Sequence, residues 1–178
     1  MITWESVMRS GKWDERFLQL AEHVASWSKD PSTQVGAVIV RPDRTIASVG
    51  FNGFPRGVPD KPEWLADRQK KNLITIHAEQ NAILNTRDQS LAGYTIYTTF
   101  HPCAACASKI VQAGITRVVC WFHEHPDRWA ESFDLAQELF RNRGVEFLLV
   151  VDEPIENDWL LERQELEDFE RSEFDERL

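Results

Sequence analysis

Residues 94–122 read YTIYTTFHPCAACASKIVQAGITRVVCWF and predict a strand, a helix and a second strand in succession. The β-branched and aromatic residues of 94–100 and of 116–122 are typical of buried strands. A helix is predicted over 103–113, and Gly114 is the kind of residue that commonly follows the end of a helix. A strand–helix–strand segment of this kind indicates an α/β fold.

The residues on either side of this segment extend the same pattern. An amphipathic helix is predicted over 13–28, where apolar residues recur at helical spacing. Two strands, 35–40 and 45–51, follow as a hairpin. The remaining predicted elements are helices over 63–70, 77–87 and 129–143 and a last strand over 145–151. This order predicts a three-layer α/β/α sandwich around one five-stranded mixed sheet.

Length and composition exclude several classes of protein. The chain has 178 residues, 42% of them hydrophobic and 28% charged, which is typical of one globular domain rather than of collagen-like or disordered chains. No apolar run approaches the roughly 18 residues of a membrane span, and the first residues lack the pattern of a secretory signal. We therefore expect no membrane association and a cytoplasmic location.

The charge of the chain is concentrated after residue 151. Residues 152–178 hold 12 acidic and 3 basic side chains, whereas residues 1–151 hold 17 of each. We therefore predict a domain over 1–151 and an acidic C-terminal extension over 152–178. Its apolar residues are compatible with a helix packed on the domain or on a neighbouring subunit, but a solvated tail remains an alternative. The absence of a broad basic stripe argues against a long nucleic acid as partner.

Two short motifs carry the metal-binding chemistry. His77 and the pair Cys103 and Cys106 each follow a strand-like run and open a predicted helix. The partial positive charge of a helix N-terminus favours thiolates, and two cysteines one helical turn apart can face the same ion. Two thiolates and one imidazole are typical ligands of Zn²⁺, and three protein ligands leave the fourth tetrahedral position open, as in catalytic sites.

Glu79 is the candidate catalytic residue beside this predicted zinc site. It lies two residues from His77, close to the ion without being one of its ligands. Zinc lowers the pKa of a coordinated water from about 15.7 to about 7, and a nearby carboxylate can then move that proton. The sequence H-x-E followed by P-C-x-x-C is the known signature of zinc-dependent nucleobase deaminases. A redox dithiol with an unrelated histidine is the main alternative for the cysteine pair.

Beyond the zinc motifs, three longer segments resemble the deoxycytidylate (dCMP) deaminase family of the cytidine deaminase superfamily. They are SKDPSTQVGA over 28–37, GFNGFPRG over 50–57 and HAEQNAI over 77–83. The resemblance covers roughly residues 13–150. It implies the cytidine deaminase-like form of the predicted fold and the zinc-dependent hydrolysis of dCMP, including dCMP with a substituent at C5, to the matching dUMP and ammonia.

The resemblance also implies roles for individual residues. His77, Cys103 and Cys106 would bind zinc and Glu79 would transfer protons. Asn52 would hydrogen bond to the sugar, although an Asn-Gly pair is also ordinary turn chemistry. The other implied residues are Phe100 and His101 near the base, and Gly53 and Arg56 near a phosphate or an effector. The family further implies a hexamer that is regulated by dCTP with Mg²⁺ and by dTTP.

Three rival functions stay open on the sequence alone. The chain could deaminate another nucleotide or a base within RNA, although the lack of a basic surface weighs against RNA. It could be a non-catalytic nucleotide-binding relative, although such a protein has no need of Glu79. It could also be a thiol oxidoreductase that uses the cysteine pair.

Overall fold

The computed structural model describes residues 11–123 and 127–151, and within these residues the chain forms five strands and six α-helices. The strands are β1 Gly36–Val40, β2 Ile46–Phe51, β3 Thr95–Thr98, β4 Arg117–Trp121 and β5 Glu146–Val150. The helices are α1 Lys12–Ala25, α2 Pro62–Ala66, α3 Arg68–Ile74, α4 Ala78–Asn85, α5 Ala104–Ala113 and α6 Ala130–Arg143. The predicted extension over 152–178 lies outside the described residues, and the division of the chain at residue 151 stays a prediction.

The five strands form one mixed sheet in the order β2-β1-β3-β4-β5. β1 is antiparallel to both β2 and β3, whereas β3, β4 and β5 are parallel to one another. The predicted five-stranded mixed sheet is therefore confirmed. Because parallel strands end at the same edge of a sheet, the segments after β3 and β4 meet at one edge, which is where α/β proteins commonly bind ligands.

Helices cover the sheet on both faces, as the predicted three-layer sandwich requires. α1 buries Phe17, Leu18 and Val24 against one face, together with Val38 of β1. α4, α5 and α6 contribute the small and branched residues that fill the other face, including Ala82, Ile110 and Ala136. None of the described helices is long and apolar enough to cross a membrane. The cytoplasmic location stays a prediction.

The structure corrects one predicted element. The single helix expected over 63–70 is two helices, α2 and α3, separated at Asp67. Asp67 adopts an extended backbone, and its carboxylate accepts hydrogen bonds from the backbone N–H groups of Gln69 and Lys70. This side chain caps the start of α3, and the extended backbone turns the chain, which is why one helix does not run through the segment.

The helix α4 lies unusually close to the edge strand β2. A Cβ atom built on Gly50 would come within 2.3 Å of the backbone nitrogen of Ala82 and 2.4 Å of the carbonyl oxygen of Ala78. Two asparagines of α4 hold the strand from the side, since the Nδ2 groups of Asn81 and Asn85 donate to the carbonyls of Phe51 and Val49 at 2.7 and 2.9 Å. The position of α4, and of everything at its N-terminus, is thus set by direct contact with β2.

Candidate active site

The N-termini of α4 and α5 meet at the carboxyl edge of β3. His77 is the N-cap residue of α4 and Cys103 is the N-cap residue of α5. The Nδ1 atom of His77 lies 3.6 Å from the sulfur of Cys103 and 3.4 Å from that of Cys106. The structure therefore brings together the three predicted ligands, although they are 26 and 29 residues apart in sequence.

The spacing of these three atoms suits a zinc ion. With Zn–S bonds of about 2.3 Å and Zn–N bonds of about 2.0–2.1 Å, neighbouring ligand atoms of a tetrahedral site lie roughly 3.5–3.8 Å apart. Within the described residues, His77, Cys103 and Cys106 are the one group of His, Cys, Asp or Glu side chains close enough to hold an ion. The donor set and its geometry fit a tetrahedral site with one position left for another ligand.

The cysteine pair is electrostatically prepared to bind a cation. The pKa of the Cys103 thiol falls to about 4, chiefly because the Cys106 thiol hydrogen bonds to its sulfur and also because of the hydrogen bond with His77. The pKa of Cys106 rises correspondingly, because it holds the proton that the two sulfurs share. The lowered pKa of Cys103 favours its thiolate, and an ion held by both sulfurs would displace the proton between them.

Glu79 lies in the first turn of α4 and is only 4% exposed. Removal from water raises the pKa of its carboxyl group, since burial penalises the charged form. A buried carboxyl group beside three side chains that could hold a metal ion is typical of a catalytic acid or base rather than of a structural residue.

A cavity of about 470 Å³ opens onto this cluster, and its size is typical of small-molecule sites. Besides His77, Glu79 and Cys103, it is lined by all three predicted substrate residues, which are Asn52, Phe100 and His101. The structure thus places them at the cluster, and their roles toward a substrate stay predictions.

Asn52 is buried and its amide joins two backbone segments beside the cavity. Its Oδ1 atom accepts a hydrogen bond from the Val35 N–H at 2.8 Å, and its Nδ2 group donates to the Thr33 carbonyl at 2.9 Å. An amide group has two N–H donors, so one donor of Nδ2 remains for a ligand. The Asn52 side chain therefore forms part of the cavity wall, and its second Nδ2–H can donate a hydrogen bond to a ligand.

Aromatic rings form a second wall of the cavity. His101 is buried, its Nδ1–H donates to the Pro102 carbonyl at 2.9 Å, and its ring stacks on Phe133 with centroids 4.2 Å apart. Phe100 meets Phe133 edge to face at 5.9 Å, and Trp129 stacks on the same ring at 6.0 Å. The wall is flat and apolar, which suits a planar ring.

Comparison with known proteins identifies the family in which this arrangement of residues occurs. Residues 11–122 match the family described as the cytidine and deoxycytidylate deaminase zinc-binding region. The chain belongs to this deaminase family. The predicted resemblance is confirmed, and the matched residues contain His77, Glu79, Cys103 and Cys106.

Three relatives show how far this deaminase resembles known members. An uncharacterized deaminase of Aliivibrio fischeri is 50% identical over 137 residues, which are 76% of this chain and 91% of that protein. The human deoxycytidylate deaminase is 36% identical over 141 residues, covering 76% of this chain and 78% of that one. The dCMP deaminase of the cyanophage S-TIM5, solved with dCMP and dUMP, is 25% identical with a TM-score of 0.60, over 80% and 98% of the two chains.

Sequence reasoning did not single out several residues that line the cavity of this deaminase. They include Arg68 at the start of α3, Arg128 in a short 3₁₀ turn over Asp127–Trp129, and Phe133 in α6. Nothing in their local sequence distinguishes them from surface arginines and core aromatics. A signal was available for the turn, since it follows β4, whose carboxyl end lies beside the predicted zinc cysteines.

Gly53 and Arg56, the predicted effector or phosphate residues, do not line the cavity of the deaminase cluster. They line a separate cavity of about 230 Å³ that shares Asp30 and Thr75 with the first. The Arg56 guanidinium donates to the Oδ1 atom of Asn85 at 2.9 Å, so it also ties this loop to the end of α4. An effector role for both residues stays a prediction.

Proposed function

We propose that this deaminase binds zinc through His77, Cys103 and Cys106 and hydrolyses dCMP to dUMP and ammonia. The observation that carries the proposal is the buried carboxyl group of Glu79, which lines one cavity with His77 and Cys103, beside the third candidate ligand Cys106. The names of the human and cyanophage relatives support dCMP as the substrate.

Each residue of the cluster has a distinct task in this proposal. A zinc ion, when bound, supplies Lewis acidity that activates water at neutral pH. His77, Cys103 and Cys106 hold the ion at the meeting point of two helix N-termini, whose partial positive charge favours the thiolates. The aromatic wall of Phe133 and Trp129 offers a flat surface for the cytosine ring.

Glu79 moves the protons of the reaction. Its carboxylate accepts a proton from the attacking water and delivers it to N3 of the cytosine ring while the water oxygen bonds to C4. It then accepts the second proton, from the hydroxyl group that now stands on C4, and passes it to the amino group, so that the C4–N bond breaks, C4 becomes a carbonyl and ammonia leaves. Burial, which raises the pKa of Glu79, helps the carboxyl group to hold the proton between these two transfers.

The charges at the mouth of the cavity support a nucleotide rather than a nucleoside as substrate. Lys71 also lines the cavity, but it is 4% exposed and its Nζ atom pairs with Asp30 at 2.6 Å, so its charge is balanced. Arg68 and Arg128 line the same cavity, and no carboxylate of the described residues forms an ion pair with either guanidinium. Two exposed guanidinium groups are well suited to a phosphate.

Replacing Arg68 or Arg128 with Ala tests this assignment of the phosphate. A hydrogen bond to a charged group contributes about 1.5–3 kcal/mol, so each variant should lose roughly 10- to 150-fold in kcat/KM for dCMP. Turnover of deoxycytidine, which has no phosphate, should change by less than about twofold. Arg141→Ala, on the exposed end of α6, is the matched control. An equal loss on both substrates would contradict a role in phosphate binding.

The proposed reaction is tested by ammonia release from dCMP, deoxycytidine and CMP. We expect the zinc-loaded protein to turn over dCMP, to lose activity when the metal is removed by a chelator, and to regain it with added zinc. Turnover of dCMP that is the same with and without zinc would contradict the proposed metal site. Bound zinc with no ammonia from any of the three substrates would contradict dCMP as substrate and favour a non-catalytic relative or another nucleotide.

The regulatory properties implied by the resemblance are part of the same proposal. They comprise the hexamer, Mg²⁺ with dCTP or dTTP as effectors, and tolerance of a substituent at C5 of the base. The cavity that is lined by Gly53 and Arg56 shares a wall with the proposed substrate cavity. A nucleotide bound there would therefore lie next to the catalytic residues.

A further inference from the structure

A serine of α6 hydrogen bonds to the first residue of α5. The backbone N–H of Ala104 donates to the Oγ atom of Ser132 at 3.1 Å, although the two residues are 28 positions apart. The first N–H groups of a helix have no acceptor within that helix, and an N-cap side chain reaches only those of the second and third residues. The N–H of the first helical residue therefore needs an acceptor from elsewhere, and Ser132 supplies it from the first turn of α6.

The same helix holds the chain on the other side of Cys103. Two residues before Cys103, the ring of His101 stacks on Phe133 of α6 with centroids 4.2 Å apart. The Nε2 atom of His101 also accepts a hydrogen bond from the buried amide of Gln137, at 3.4 Å. Cys103 thus lies between two points of the chain that are both fixed to α6.

The histidine of the metal cluster is positioned by a different neighbour. His77 opens α4, and α4 is held against β2 by the side chains of Asn81 and Asn85. The distance of 3.6 Å between the His77 Nδ1 atom and the Cys103 sulfur therefore depends on two separate anchors, β2 for α4 and α6 for the start of α5. Ligand distances in metal sites vary by only about 0.2 Å, so both anchors must be exact for an ion to bind tightly.

We propose that Ser132 is a positioning residue of the metal site. Its hydroxyl group fixes the start of α5, and with it the Cys103 sulfur, at the distance from His77 that a zinc ion requires. This inference rests on the proposed zinc site. Groups that hold metal ligands in place from outside contribute about 10- to 100-fold to metal affinity. Because Ser132 acts through the backbone of the residue next to Cys103, we expect a contribution of roughly tenfold.

The chain offers a matched control for the loss of this hydroxyl group. Ser108 also hydrogen bonds to Ala104, but its Oγ atom donates to the carbonyl group, at 2.9 Å, on the exposed side of α5. Ser108→Ala therefore removes a serine hydroxyl from the same residue without freeing the N–H at the start of the helix. Ser132→Thr is the conservative variant, since threonine keeps the hydroxyl oxygen.

The test compares the full-length protein with Ser132→Ala, Ser132→Thr and Ser108→Ala. Zinc affinity is measured by competition with a chromophoric chelator, and the absorption spectrum of Co²⁺ in place of zinc reports the geometry of the ligands. Ser132→Ala should weaken zinc binding roughly tenfold and change the Co²⁺ spectrum, whereas the other two variants should stay within about twofold of the parent protein. In the metal-free protein, amide exchange at Ala104 should be faster in Ser132→Ala.

Three results would overturn the proposal. Unchanged amide exchange at Ala104 in Ser132→Ala would contradict the hydrogen bond itself. Faster exchange with unaltered zinc affinity and Co²⁺ spectrum would show that the bond stabilises α5 without positioning Cys103. An equal loss of zinc affinity in Ser108→Ala would indicate a general weakening of α5.

Failure of the proposed function gives a different result. If the unaltered protein binds no zinc, the proposed zinc site is wrong and this inference is overturned with it. That result concerns the parent chain, whereas the three results above concern differences between variants of a protein that binds zinc. None of these measurements depends on catalytic activity.

Discussion

Replacement of Glu79 with Gln is expected to reduce kcat for dCMP by about 10⁴-fold while leaving zinc bound. General acid–base catalysis contributes typically 10²–10⁴-fold, and we expect the upper end because Glu79 serves both proton transfers in the proposed mechanism. Gln keeps the size and one oxygen of the side chain but cannot accept and return a proton. Turnover of dCMP, zinc content and dCMP affinity should be measured on the same preparation.

The control for this variant is Glu138→Gln, on the exposed side of α6. It removes the same charge from the chain and should leave turnover unchanged. Retained activity in Glu79→Gln would contradict the proton-transfer role. Loss of zinc together with activity would indicate instead that Glu79 supports the metal site, because a group that only moves protons is dispensable for binding the ion.

The candidate metal site could be predicted because each of its ligands belongs to a short motif that is recognisable in the sequence. The pair Cys103 and Cys106 are one helical turn apart and open a helix, and His77 opens another. Spacing and helix starts are properties of short segments, so the sequence alone predicts the ligand set. The strands of the sheet were predictable for the same reason, since each is a short run of β-branched or aromatic residues.

The remainder of the cavity depends on contacts between distant segments. Arg68 begins α3 and Arg128 follows β4, and only the completed fold brings both to one cavity. The break at Asp67 that positions Arg68 depends on a side chain that accepts hydrogen bonds from two backbone N–H groups, which competes with helix continuation. Neither the cap at Asp67 nor the meeting of Arg68 and Arg128 leaves a periodic pattern in the sequence. The two arginines at the mouth of the cavity could therefore be identified only from the structure.

Replacement of Gly50 with Ala is expected to lower the free energy of unfolding by about 3 kcal/mol, equivalent to a fall in Tm of roughly 6–12 °C. The new methyl group would lie 2.3–2.4 Å from backbone atoms of Ala78 and Ala82, which cannot rotate away as a side chain can. The helix must therefore separate from β2. Thermal unfolding and urea unfolding, each followed by circular dichroism, measure the loss.

The same substitution should also reduce activity in the protein that remains folded. His77 and Glu79 stand at the end of α4 that Gly50 contacts, and a displacement of about 1 Å at a catalytic group can cost roughly 10²-fold in rate. The matched control is Gly11→Ala, before α1 and outside both proposed nucleotide cavities, where the nearest atom to a new Cβ is an Asp14 side-chain oxygen at 3.7 Å. Equal stability and activity in the two variants would contradict the close packing of α4 on β2. A large loss confined to Gly50→Ala would show that the absence of one side chain in the sheet sets the position of the catalytic helix.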